Sequence, residues 1–188
     1  MISKIIIGTW PLSGDYGKID YKQIKDVLEY CYELGIKEFD TAPNYGNGVA
    51  EKYLGKIFGS RSDVLINTKM GNLPFNKKSY EIKELKKSFE NSLKMLKRDS
   101  INALFLHNPR MEITDYTEVL NFMRELKDKG KINQIGLSKA KNFNYENLTI
   151  SYFPEICLYK KNHQYNSLEI YSKLYHPNIN FANYYLKF

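Results

Sequence analysis

Four residues with the chemistry of proton transfer lie at or just after the ends of short apolar runs: Asp40, Tyr45, Lys69 and His107. A tyrosine hydroxyl has a pKa of about 10, and a nearby ammonium lowers that pKa because it favours the phenolate. Asp40 can hold the Lys69 ammonium beside Tyr45, and His107 can orient a carbonyl oxygen through a hydrogen bond. Such a set protonates the oxygen of an aldehyde or ketone while a hydride reaches its carbon. The hydride must come from elsewhere, so this chemistry implies a nicotinamide cofactor.

The elements that must position these residues alternate between strand and helix. Short apolar runs predict five strands, at 4–9, 36–39, 63–69, 100–107 and 132–138. Helical patterns separate them: Asp20 is the predicted cap of the first helix, 51–58 forms the second, Ser79 opens the third, and Thr114 or Asp115 caps the fourth. Strands joined by crossover helices must be parallel, so the predicted fold class is α/β.

Two features favour an α/β barrel over a doubly wound sheet. The first strand is not followed by Gly-x-Gly-x-x-Gly, the signature of a dinucleotide-binding sheet. Polar residues also recur at five successive strand ends, and these are Thr9, Asp40, Lys69, His107 and Ser138. A barrel brings all such ends around one mouth, where ligands bind.

The sequence contains fewer units than a complete barrel. Beyond Ser138, the pattern predicts a short helix at 143–150, a sixth strand at 156–162 and a helix at 168–175. A full (β/α)8 TIM barrel takes about 250 residues, whereas this chain has 188. We therefore predict an incomplete TIM barrel of about six βα units over residues 1–176, with a tail rich in aromatic residues over 177–188.

Composition argues against several other classes of protein. The net charge is +7, but the lysines alternate with acidic residues along helix faces, so nucleic-acid binding is not expected. No segment is long enough to span a bilayer, and the N-terminal apolar run is too short for a signal peptide, so we expect a cytoplasmic protein without membrane attachment. Cys31 and Cys157 lack the spacing of a zinc site or a disulfide framework.

Four motifs in this order resemble those of the aldo-keto reductase family, whose members are NADP(H)-dependent (β/α)8 barrels. The matching segments are Asp40-Thr-Ala-Pro-Asn-Tyr45-Gly with Glu51, Asn67-Thr-Lys69, Leu106-His107-Asn-Pro109 and Ile7-Gly-Thr-Trp10. The match runs from Ile5 to about Ser138. Its specificity lies in the fact that each motif falls on the expected strand or loop.

The resemblance implies a role for each matched residue. Tyr45 is the implied proton donor, Lys69 and Asp40 adjust its acidity, and His107 orients the substrate. Several residues are implied to bind the NADPH cofactor, and these are Thr9, Asp40, Ser138 and Asn162. Trp10 and Asn108 are implied to line the substrate pocket. The implied substrate is a small aldehyde, ketone or keto sugar, and no metal ion is expected.

The chain departs from the family pattern in its second half. Where the family has Ser-Asn after strand five, this chain has Ser138-Lys139. Asn162 stands in place of a glutamine on strand six, with Gln164 close by. Strands seven and eight, whose loops grip the cofactor's adenosine phosphates in the family, have no counterpart here.

This shortage of strands leaves a second interpretation open, in which the chain is a catalytically inactive remnant or a binding module. A metal-dependent barrel hydrolase is rejected, because only His107 of the three histidines lies at the end of one of the five predicted strands. An open barrel is also expected to leave strands one and six unpaired and to expose Ile5 and Ile7. Aggregation, self-association through these edges, or folding of the tail across the gap would relieve that exposure.

Overall fold

The computed structural model of the protein describes residues 5–109, 117–139, 156–159 and 184–186. Its strands are β1 (Ile5–Gly8), β2 (Glu38–Asp40), β3 (Leu65–Met70), β4 (Ile101–His107), β5 (Ile132–Lys139), β6 (Ile156–Tyr159) and β7 (Tyr184–Leu186). Its helices are α1 (Tyr21–Glu33), α2 (Val49–Phe58), α3 (Ile82–Leu96) and α4 (Thr117–Asp128), with 3₁₀ turns at Trp10–Leu12 and Tyr45–Gly48. The alternation of strand and helix from β1 to β5 matches the prediction.

The strands form one sheet in the order β6-β5-β4-β3-β2-β1-β7. Each neighbouring pair from β1 to β6 is parallel. Each of these strands lies beside the next one along the chain, as in a (β/α)8 barrel, whereas a doubly wound sheet reverses its order at a switch point. The fold is therefore an incomplete TIM barrel of the α/β class, as the sequence predicted.

The first strand is paired on both sides. Its outer neighbour is β7, which runs antiparallel to it, with Ile5 opposite Leu186 and Ile7 opposite Tyr184. Ile5 and Ile7 are only 7% and 0% exposed. The expectation that an open barrel leaves β1 unpaired and both isoleucines exposed is therefore wrong. The reason is that the tail supplies an edge strand, which was one of the three predicted remedies.

The helix-start signals are confirmed only in part. Asp20 caps α1 in a capping box, in which its carboxylate accepts a hydrogen bond from the backbone N–H of Gln23 at 2.9 Å. Ser79 does not cap α3, whose N-cap is Glu81; the Ser79 hydroxyl oxygen instead accepts from the Glu81 N–H at 3.3 Å. The predicted caps Thr114 and Asp115 and the predicted helices at 143–150 and 168–175 lie outside the described residues, as do positions 160–162 of the predicted sixth strand.

Alternation along the strands directs the polar residues to the barrel interior. Phe39 packs on Phe58 of α2, with ring centroids 4.7 Å apart, so its neighbour Asp40 faces the other side of β2. Thr68 likewise reaches Glu51 of α2, so Lys69 faces the interior with Asp40. One continuous apolar cluster fills the layer between the sheet and the helices. In the part of the chain that is described, no helix is long and apolar enough to cross a membrane.

Candidate active site

A buried ion pair stands at the centre of the site. The Lys69 ammonium lies 2.5 Å from Asp40 Oδ2 and donates a second hydrogen bond to the Thr41 carbonyl at 2.7 Å. The two side chains are 0% and 1% exposed. Removing two charges from water is costly, and the cost is recovered only when each charge has close partners. Burial raises the pKa of the Asp40 carboxyl, and the charge and hydrogen bond of Lys69 oppose that rise.

Several buried oxygen atoms at and after the end of β2 have no hydrogen-bond partner. Asp40 Oδ1 is buried and has no hydrogen-bond partner, and the same is true of Thr41 Oγ1 and Asn44 Oδ1. Buried polar atoms are nearly always paired in folded proteins. Three such atoms within one strand end and its loop therefore mark a place where a polar ligand would complete the hydrogen bonding.

Tyr45 lies on the 3₁₀ turn that follows β2 and is 6% exposed. The Lys69 ammonium lies 4.9 Å from the centroid of its ring. Burial, followed by the charge of Asp40 and by Tyr16, raises the pKa of the Tyr45 hydroxyl well above its ordinary value. The expectation of a lowered Tyr45 pKa is therefore wrong, because burial, the largest cause, outweighs the attraction of a phenolate to the Lys69 ammonium. Tyr45 is held as a neutral phenol that carries its proton.

His107 ends β4 and meets the tyrosine edge-on. The two rings lie 6.2 Å apart at 88°, and His107 is 6% exposed. Burial, together with the positive charges of Lys69 and Lys78, lowers the pKa of His107 well below its ordinary value, so the imidazole is neutral near pH 7. A neutral imidazole carries one N–H donor, which suits it to orient a carbonyl oxygen without competing for the proton.

The predicted cofactor residues are only partly gathered. Thr9 is buried beside Asp40, and its hydroxyl donates to the Asp40 backbone carbonyl at 3.0 Å. Ser138 pairs with His107 in the register of β4 and β5, and its carbonyl accepts from the Asn108 N–H at 2.6 Å. Asn162 lies outside the described residues. The structure thus brings Thr9, Asp40 and Ser138 to the strand ends that also carry Lys69 and His107.

The predicted pocket residues flank the tyrosine and the histidine. The Trp10 ring stacks on Tyr45 at 5.9 Å and 19°. Asn108 follows His107 with a φ of 47°, a left-handed conformation that non-glycine residues seldom adopt and that occurs at functional sites. The Tyr80 hydroxyl lies 2.9 Å and 2.6 Å from the carbonyl oxygens of His107 and Asn108, and so fixes this strand end.

The sequence prediction gave no role to Asp15, Thr41 and Asn44, which the structure places in this site. Asp15 accepts hydrogen bonds from the Trp10 indole and from the backbone N–H of Gly46. Thr41 and Asn44 lie inside the quoted Asp40-to-Tyr45 motif, which is the signal that could have included them. Asp15 lies in a loop without periodicity, so no sequence signal marks it.

Glu51 is a buried acid behind the site. It is fully buried on α2, and Thr68 donates a hydrogen bond to its Oε1 at 2.6 Å. Burial raises the pKa of Glu51 to about 7, against smaller opposing effects of Thr68, Ser92 and Lys69. The folded protein therefore holds a proton here that the unfolded chain releases near pH 4.5. The contribution of this proton to the unfolding free energy is fully present below pH 4.5 and is lost as the pH rises through about 7.

We expect Glu51→Gln to remove this pH dependence, because the glutamine is neutral and still offers an oxygen to Thr68. Relative to the variant, the wild type should lose about 3 kcal/mol of unfolding free energy across that interval. Denaturant titrations at several pH values measure it. Glu125→Gln on α4, where the carboxylate is 60% exposed, is the matched control and should follow the wild type. His107 also makes the unfolding free energy depend on pH, in the opposite direction because its pKa is lowered. All three proteins contain His107, so its contribution cancels when they are compared. Parallel curves for wild type and Glu51→Gln would rule out a neutral Glu51.

Comparison with known proteins identifies the family of the chain. The model of the aldo/keto reductase family matches residues 4–185. The chain is 34% identical over 155 residues to the aldo-keto reductase YhdN of Bacillus subtilis, covering 78% of this chain and 45% of that protein. An aldo-keto reductase from Klebsiella pneumoniae, solved in complex with NADPH, superposes with a TM-score of 0.61 at 26% identity, over 76% of this chain and 46% of that one. A thermostable aldo-keto reductase solved with the inhibitor epalrestat gives a TM-score of 0.68 at 26% identity, over 90% and 62%.

The fold and the polar strand ends together define a TIM barrel whose candidate site lies at the carboxyl ends of its parallel strands. The chain belongs to the aldo/keto reductase family. It spans about half the length of the curated relatives that it matches.

Proposed function

We propose that this protein reduces a small aldehyde or ketone to an alcohol with NADPH, and that Tyr45 donates the proton. The observation that carries the proposal is the buried Lys69–Asp40 pair beneath the neutral Tyr45, with His107 edge-on to the same ring. These groups come from three adjacent strand ends and converge at the carboxyl ends of parallel strands, where barrel enzymes perform their chemistry.

Each residue has a distinct part in the proton transfer. The N–H of the neutral His107 orients the carbonyl oxygen, and the Tyr45 hydroxyl gives that oxygen its proton. The Lys69 ammonium then stabilises the phenolate left on Tyr45, since it already lies 4.9 Å from the ring centroid. Asp40 holds the Lys69 ammonium in place. The nicotinamide cofactor, when bound, supplies the hydride to the carbonyl carbon.

The described residues fit the nicotinamide end of such a cofactor. The buried and unpaired Asp40 Oδ1 and Thr41 Oγ1 are suited to accept hydrogen bonds from ribose hydroxyls. We assign Asp40 and Thr9 to the ribose, and Ser138 and Asn162 to the carboxamide. The choice of NADPH over NADH is part of the proposal and is supported by the NADPH complex of the Klebsiella pneumoniae neighbour.

We further propose a small aldehyde, ketone or keto sugar as substrate, a cytoplasmic setting, and no nucleic-acid or membrane partner. Self-association remains a proposal for β6, which is the last strand at its end of the described sheet.

Titration with NADPH tests the cofactor assignment. Trp10 is the single tryptophan of the chain and stacks on Tyr45, so we expect saturable quenching of its fluorescence, with calorimetry giving the same affinity. Asp40→Asn should weaken binding about tenfold or more, because a charged acceptor is lost. Asp26→Asn on α1, where the carboxylate is 55% exposed, is the control and should bind like the wild type. Failure of the wild type to bind NADPH would instead favour the inactive remnant or binding module.

A further inference from the structure

The loop between β1 and α1 is fastened to the turn that carries Tyr45. Asp15 Oδ2 accepts a hydrogen bond from the Trp10 indole N–H at 2.9 Å and another from the Gly46 backbone N–H at 3.1 Å. A single carboxylate oxygen therefore joins the aromatic wall of the pocket to the residue that follows Tyr45. Hydrogen bonds to an ionised acceptor are stronger than those between neutral groups.

Asp15 is itself held in position. Its backbone N–H donates to the hydroxyl of Ser13, a buried residue, at 3.2 Å. The Ser13 carbonyl oxygen packs so closely on Gly46 that a Cβ at Gly46 would lie 2.2 Å from it. Because Gly46 also has a φ of +54°, glycine satisfies both the backbone conformation and the contact. The loop and the turn therefore meet without space for adjustment.

Trp10 depends on this anchor for its orientation. Its ring is stacked on Tyr45 and is tilted against Tyr16, at 5.0 Å and 60°. Tyr16 is 58% exposed, and Trp10 also packs against the small buried cluster of Ala42, Tyr45 and Ala50. These apolar contacts are not directional. The hydrogen bond from the indole N–H to Asp15 is thus the directional contact that keeps the ring parallel to Tyr45.

We propose that Asp15 is a positioning residue of this site, which ties the Trp10 indole to the Tyr45 turn and thereby sets the wall that a carbonyl substrate meets beside Tyr45. The part that concerns substrate rests on the proposed function. The part that concerns Trp10 does not, because its contacts are made within the protein itself. A pocket wall that is fixed before the substrate binds restricts the substrate to productive orientations.

Trp10 fluorescence tests the anchor directly, since the chain has one tryptophan. In Asp15→Ala, the emission should move to longer wavelength and acrylamide should quench it more strongly, because the indole loses its partner and gains contact with water. Asp15→Asn keeps an acceptor oxygen at the same place, although a neutral one, and should lie much closer to the wild type than Asp15→Ala does. Asp26→Ala removes an exposed carboxylate on α1 and is the matched control for charge. Circular dichroism confirms that all four proteins are folded.

Steady-state kinetics test the substrate part. Asp15→Ala should raise the KM for the carbonyl substrate about tenfold, as expected for a lost hydrogen bond to a charged group, and should change kcat less than KM. Asp15→Asn should recover most of the lost KM, because it keeps the acceptor oxygen but not its charge. Wild-type emission and quenching in folded Asp15→Ala would overturn the proposal, as would equal defects in Asp15→Asn and Asp15→Ala. If Asp15→Ala alters Trp10 while no variant and no wild type turns over a carbonyl, the anchor stands and the proposed function fails.

Discussion

Tyr45→Phe is expected to lower kcat for carbonyl reduction by about 10²- to 10⁴-fold, the range that a positioned general acid contributes. The substitution removes the proton donor but keeps the ring that stacks on Trp10 and lies above Lys69. Packing and NADPH affinity should therefore stay close to those of the wild type. The measurement is steady-state turnover with a panel of small aldehydes and ketones, together with an NADPH titration of each protein.

Tyr16→Phe is the matched control for this prediction. Tyr16 also contacts Trp10, but it is 58% exposed, so loss of its hydroxyl should leave kcat within about twofold, as is usual for surface changes. Near wild-type kcat in Tyr45→Phe would remove Tyr45 from the role of proton donor. An equal loss in both variants would point to disturbed packing around Trp10.

Lys69→Met is expected to cost about 3–5 kcal/mol of unfolding free energy as well as nearly all turnover, because it leaves Asp40 buried without its counter-charge. The variant keeps most of the volume of the lysine stem. The loss of turnover follows from the phenolate on Tyr45, which would form without a positive charge nearby. Denaturant unfolding measures the first effect, and steady-state kinetics the second.

A double-mutant cycle with Asp40→Asn separates the ion pair from other effects of Lys69→Met. The double variant removes both charges and should be more stable than the sum of the two single changes predicts, by at least about 1 kcal/mol. It should still be inactive, since the phenolate remains unsupported. Additive losses of stability would show that the two charges do not stabilise one another in the folded protein.

Much of the fold was readable from local patterns. The alternation of apolar runs and helical spacing located β1 to β5, and the polar residue at each strand end placed Asp40, Lys69 and His107 together, because parallel strands in a barrel share one mouth. The pairing of β7 with β1 was not predictable in the same way. It joins Ile5 to Leu186, from opposite ends of the chain, and no local period specifies such a contact.

The electrostatics of the site depended on three-dimensional facts that the sequence does not carry. The direction of the Tyr45 pKa follows from its burial and from the nearby charge of Asp40, and neither is visible in the spacing of the motifs. Glu51 stood in the quoted motif, but its raised pKa comes from complete burial against β3 and α3. Asp15 contacts Trp10 and Gly46 only because of the conformation of its loop, so its residue type alone could not predict these contacts.

The most direct test of the proposed reaction is the consumption of NADPH by the purified wild-type chain when a small aldehyde is added, with the alcohol product quantified in parallel. We predict that NADPH disappears in step with alcohol formation, one for one, at a rate that scales with protein concentration and is nearly lost in Tyr45→Phe. Binding of NADPH without consumption across the whole panel of aldehydes and ketones would contradict the account, and would leave the chain as a cofactor-binding module of its family.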